Sequence, residues 1–202
     1  MSDGEGVNQT RQAILDATFQ VLAEGGLRGA TTRGIAQAAG VNEVTIFRHF
    51  GSKNNLITCA LNTRFAAVRR EAVQYTGDIE ADLIRLASNV GAALEAFGPV
   101  VRTLFAELPL DPELASGVVG PRELFSAITA MLNRYQQAGL LVNEPGGSLV
   151  PAFIGPLFVR FLVMGHPVAP VELGAPFDAE RHVKRFLYGR LAVPADSGDK
   201  EP

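Results

Sequence analysis

The chain has 202 residues, 47% of them apolar, enough for one large domain or a small unit joined to a medium one. A net charge of −3 argues against a nonspecific nucleic-acid coat, but the charge is uneven: residues 27–53 carry four basic groups against one acidic, while residues from 54 onward carry 13 basic against 16 acidic. The single cysteine, Cys59, excludes an intramolecular disulfide and fits a reducing cytosol. The start, MSDGEGVNQT, lacks the basic-then-apolar pattern of a signal peptide, and residues 1–8 are expected to be disordered.

Helical spacing recurs along the rest of the chain, and alternating strand patterns are scarce. TRQAILDATFQVLAEGG puts Ile14, Thr18, Val21 and Leu22 on one stripe and ends at Gly25-Gly26. TTRGIAQAAG follows as a short helix capped by Thr31 or Thr32 and ended by Gly40. VNEVTIFRHF is a two-turn helix with Asn42 as its N-cap, and a long helix begins near Ser52. Further helices are expected at about 79–97, 99–107, 121–139, 148–165 and 178–191, separated by LPLDP, NEPGGS and HPVAPVELGAP. The segment 149–165 is strongly apolar, but it contains Pro151, Pro156 and Arg160 and reads as a buried helix rather than a membrane span. The tail 193–202 is expected to be disordered.

The informative stretch is TRGIAQAAGVNEVTIFRHF, residues 32–50. Ile35 and Ala39 lie one helical turn apart, and Ala36 is small where a second helix must cross closely. Gly40 permits a left-handed turn, and Val41 and Ile46 point back into the same small core. A small residue, a glycine four later and an apolar residue six after that is helix-turn-helix spacing. Ile46 and Phe50 hold the second helix, which leaves Thr45, Arg48 and His49 facing outward, the side that enters the DNA major groove in this motif.

The segment TTRGIAQAAGVNEVTIFRHFGSKNNL, 31–56, resembles the N-terminal signature of TetR/AcrR-type transcriptional regulators. The likeness covers about a quarter of the chain once the first helix is included. It implies an all-α fold: a three-helix DNA-binding domain at 9–52, then a helical ligand-binding and dimerisation domain at 53–192. It also implies roles. Thr32, His49 and Lys53 would contact phosphates, fixing register without reading sequence. Asn42, Val44, Thr45 and Arg48 would face base edges. Arg33 could meet the backbone. Two residues depart from the pattern. Phe47 replaces the usual Tyr and has no hydroxyl for a phosphate, leaving it stacking or methyl contact. Glu43 suits the helix dipole but repels phosphate unless it accepts from a cytosine.

For the body, the resemblance implies a ligand pocket and a dimer. Nine phenylalanines lie beyond residue 52, and aromatic side chains line pockets as well as cores. Candidate pocket residues are Phe97, Arg102, Phe105, Phe125, Tyr135 and Phe153, for a small apolar or aromatic ligand. FDAERHVKRFLYGRL puts Val183, Phe186, Leu187 and Leu191 on one stripe. With Phe153, Leu157 and Phe161 of the apolar helix, that stripe is expected to form a four-helix bundle with its two-fold mate. The function implied is a homodimeric repressor released from a palindromic operator by a small molecule.

An enzyme is disfavoured. The chain has no metal-spaced His/Cys set, no Gly-x-Ser-x-Gly and no Gly-rich phosphate loop, so no catalytic residue, metal or cofactor is expected. A DNA-binding factor of the same fold with no small ligand is the remaining rival. A ligand-sized cavity favours the sensor, and a filled core favours that rival.

Overall fold

A computed structural model describes residues 2–163, 177–188 and 190. The expected tail 193–202, and Leu191 of the expected dimer stripe, lie outside them. Among the described residues the fold is all-α, with helices α1 (Ser2–Gly29), α2 (Thr32–Ala38), α3 (Glu43–Phe50), α4 (Lys53–Ala72), α5 (Ile79–Glu107), α6 (Pro112–Gly117), α7 (Gly120–Gln137), α8 (Gly146–Val163) and α9 (Ala179–Leu187). No helix among the described residues is long and apolar enough to cross a membrane.

Polar side chains fix most of the helix starts. Thr31, Asn42, Ser52, Asp78, Asp111 and Asp178 each accept a backbone N–H two or three residues on, at 2.9–3.1 Å. Each such cap contributes about 1 kcal/mol. Three boundaries differ from expectation. Helix α1 already begins at Ser2, so residues 2–8 are helical. It also passes Gly25-Gly26 with a kink at Gly26 (φ 68°, ψ −172°) and ends at Gly29. Helix α5 runs unbroken through Pro99, where a break was expected. Proline removes one i to i−4 bond, and packing of Val90, Leu94, Val100 and Leu104 on both sides of it outweighs that loss. LPLDP holds a 3-10 turn, Leu108–Leu110, and its last residue, Pro112, opens the added short helix α6, which Asp111 caps.

Two apolar cores form. One gathers Ile14 and Leu22 of α1, Ile35 and Ala36 of α2, Ile46 and Phe50 of α3 and Leu56, Ile57 and Leu61 of α4, and it also takes in Val100 and Leu104 of α5. The other joins α5, α7, α8 and α9 through residues such as Leu86, Ile128, Phe153, Leu157 and Val183. Phe65 of α4 packs against both. The head therefore sits directly on the body. Asn62 of α4 adds a polar clamp, donating to the Gly117 carbonyl and accepting from the Gly120 N–H, both at 2.9 Å.

Candidate DNA-binding face and body cavity

Helices α2 and α3 meet through Ile35, Ala36, Ile46 and Phe50, all buried. Gly40 takes a positive φ of 66° at the turn between them. With its apolar side fixed, α3 shows its other side to solvent: Val44 is 71% and Phe47 47% exposed, and Arg48 is exposed. An exposed Val and Phe beside an Arg suit a groove that offers thymine methyls and guanine acceptors. Arg33 is exposed on α2, and Thr45 is half-buried. Asn42 is exposed, but its side-chain oxygen already caps α3 by accepting from Val44 N–H, so only its amide group is free to donate outward.

The side chains expected on phosphates are engaged within the protein. The Thr32 hydroxyl donates to the Glu43 carboxylate, a bridge from the start of α2 to the start of α3. Lys53 Nζ donates to the Leu27 carbonyl at 3.3 Å, near the C-terminal end of α1. The Nε2 of His49 is buried without a hydrogen-bond partner, so that nitrogen is not open to a phosphate in this conformation. Glu43 therefore acts as a first-turn carboxylate and an interhelical acceptor here.

The body holds a cavity of about 340 Å³ between α1, α4, α5, α6, α7 and α8. Phe97, Phe105 and Phe125 line it, as expected of pocket residues. Arg102, Tyr135 and Phe153 do not. Arg102 is exposed on α5, near Gly98. Phe153 is buried against Phe186 and His182. Tyr135 is fully buried and donates its hydroxyl to Asp82. That carboxylate, also fully buried, accepts from the Thr76 N–H at 2.6 Å, the Thr76 hydroxyl at 2.8 Å and Arg85 at 2.8 Å. Burial alone raises the Asp82 pKa, and the four hydrogen bonds more than offset this and hold it below the ordinary carboxylate value. Burial, and then the bond to Asp82, push the Tyr135 phenol up. Tyr135 is thus part of a structural network that ties α7 to the start of α5.

Sequence reasoning missed Phe19 and Arg64 as lining residues. Phe19 belongs to α1, and among the described residues Arg64 is the sole charged residue of the wall. No periodicity marks them, because the wall is assembled from several helices rather than along one.

The expected dimer stripe faces inward. Phe153, Leu157, Phe161, Val183, Phe186 and Leu187 are all buried within one protomer, because the apolar side of α9 packs onto α5 and α8. The outer side of α8 instead presents Pro151, Pro156 and Val159, with Val159 59% exposed. Tyr188, just after α9, is 88% exposed. His182 is half-buried, its Nε2 2.9 Å from the Phe153 carbonyl. Burial lowers its pKa, partly countered by that bond.

Residues 14–58 match the family model for bacterial regulatory proteins of the tetR family. Over 155 residues the chain is 27% identical to the HTH-type transcriptional regulator YvkB of Bacillus subtilis, covering 76% of this chain and 82% of that one. Over 77 residues it is 39% identical to the HTH-type transcriptional repressor AcnR of Corynebacterium glutamicum, covering 38% of this chain and 40% of that one. A solved transcriptional regulator from Rhodococcus sp. Rha1 shares the fold at a TM-score of 0.69 and 22% identity, covering 91% of this chain and 99% of that one.

Proposed function

The chain belongs to the TetR family of bacterial regulatory proteins, and on that premise we propose that it is a homodimeric repressor that a small ligand releases from a palindromic operator. Residues 9–52 serve as the DNA-binding head and 53–192 as the sensing and dimerising body, in the bacterial cytoplasm. Val44, Thr45, Phe47, Arg48 and the Asn42 amide face base edges. Thr32 and Lys53 meet the backbone after leaving their present partners, His49 after its ring turns outward, and Arg33 directly. The dimer forms on the outer side of α8, around Val159, with Phe153, Leu157, Phe161, Val183, Phe186 and Leu187 supporting it from behind.

One observation carries the sensor part of this reading: the cavity wall includes Phe19 of the head and Arg64 and Phe65 of α4, the helix that starts at Lys53. From Lys53 to Arg64 α4 spans about 16 Å at 1.5 Å per residue. A ligand that fits a splayed body better shifts the dimer away from the spacing of about 34–36 Å that two successive major grooves require.

Selection of genomic fragments by the purified protein, sequenced at two salt concentrations, tests the regulator reading. A palindromic site should be enriched, and its binding should weaken with salt and with Arg48→Ala. Absence of any enriched site would contradict it.

A further inference from the structure

We propose that the ligand of the body cavity is an amphipathic anion, an apolar chain or ring system ending in one carboxylate, and that Arg64 receives the carboxylate. This rests on reading the cavity as the sensor site. The wall is apolar throughout except for Arg64, whose guanidinium lies 4.0 Å from the Phe97 ring centroid and 5.3 Å from that of Phe19. Arg64 is half-buried and makes no ion pair or hydrogen bond among the described residues. Its two aromatic neighbours pack edge to face at 5.4 Å.

An arginine cannot shed its proton, so burial leaves it charged. Stacked on two ring faces at the edge of the wall, the half-buried guanidinium is partly desolvated with no counter-ion beside it, and the rings compensate only in part. A ligand carboxylate would supply the missing counter-ion in bidentate geometry, while its apolar part filled the rest of the cavity. A neutral ligand of the same shape would gain the apolar contact alone. A cation would meet Arg64 with like charge.

The same contact suggests how the signal leaves the cavity. Arg64, on α4, lies across Phe19 of α1 and Phe97 of α5. A carboxylate that draws the guanidinium toward the cavity loosens that stack, and with it the seat of the head on the body.

Calorimetry with decanoate and decanamide tests the inference. The two probes share about ten carbons and differ in charge. Wild-type protein should bind decanoate at least roughly tenfold more tightly than decanamide, since a charge-assisted pair is worth about 1.5–3 kcal/mol. Arg64→Met should abolish the difference while still binding the amide, and Arg64→Lys should retain part of it. Thermal unfolding and operator binding of each variant establish that it folds. Equal affinity for acid and amide in the wild type overturns the inference. So does a preference for the acid that survives Arg64→Met, or failure of both probes to bind. If operator binding is intact in those cases, the regulator reading stands and only the ligand class is wrong.

Discussion

Thr32 and Glu43 hold each other at the position where a backbone phosphate is expected to dock. A carboxylate at a helix N-terminus is the internal equivalent of a phosphate, an anion facing unpaired N–H groups. DNA must displace it or accommodate its charge. Glu43→Gln is therefore expected to raise operator affinity by roughly two- to fivefold, with the gain largest at low salt, because one repulsive charge that salt would screen is removed. A lower affinity confined to operators with cytosine at one position would instead assign Glu43 to reading that base. Arg48→Ala should cost about 1–3 kcal/mol and relax preference at one base position, measured by competition among single-base variants of the operator. Asp82 marks the other residue that matters by itself. Its folded-state pKa is depressed, so its contribution is complete above the unfolded value of about 4 and is lost as pH falls through the lower folded value. Asp82→Asn should destabilise the fold by about 2–3 kcal/mol at neutral pH, and the gap to wild type should narrow below about pH 4. Denaturant midpoints measured from pH 7 to pH 3 check this. A gap that does not change with pH would contradict it.

At the scale of elements, the helix-turn-helix was legible because its signals are local. Ala36, Gly40 and Ile46 set a crossing, a turn and an anchor within eleven residues, and the Asn42 cap and the buried Ile46 and Phe50 follow from the same spacing. The stripe expected at the dimer interface is already covered within one chain, for a physical reason. An amphipathic stripe states that a helix has one face to bury, and α9 buries that face inside its own protomer. Which neighbour covers a stripe is tertiary information. The unsatisfied surface is the small and apolar outer side of α8, which has no charge alternation to draw attention to it. A charge there should break the proposed dimer with little effect on the fold, since Val159 is exposed. Val159→Asp is expected to sediment as a monomer and to lose operator affinity while keeping wild-type helical content, with an unfolding midpoint that, unlike that of the wild type, does not depend on protomer concentration. A variant that remains dimeric would move the interface elsewhere. Pro99 was also read too strongly, because a break was expected where burial of α5 on both sides tolerates one lost bond.

At the scale of the whole molecule, the cavity could not be read from the chain. Its wall draws on residues from Phe19 to Phe158, and only the packing of six helices brings them together. Phe97, Phe105 and Phe125 were found because large aromatics are frequent in any apolar wall. Arg102 was chosen for being polar within an apolar run, whereas the fold leaves it exposed and lays Arg64 over the Phe19 and Phe97 rings at the cavity edge. The resulting arrangement has a head, a cavity and one helix common to both. Linkage then requires that whatever the cavity ligand does to operator affinity, the operator does to ligand affinity by the same factor. The most direct test is to titrate decanoate into the free protein and into its complex with the selected operator, and the operator into protein with and without decanoate. The account predicts that each weakens the other by one common factor, on the order of 5–150-fold, and that Arg64→Met reduces that factor toward one. Decanoate that binds in the cavity and leaves operator affinity unchanged would contradict it.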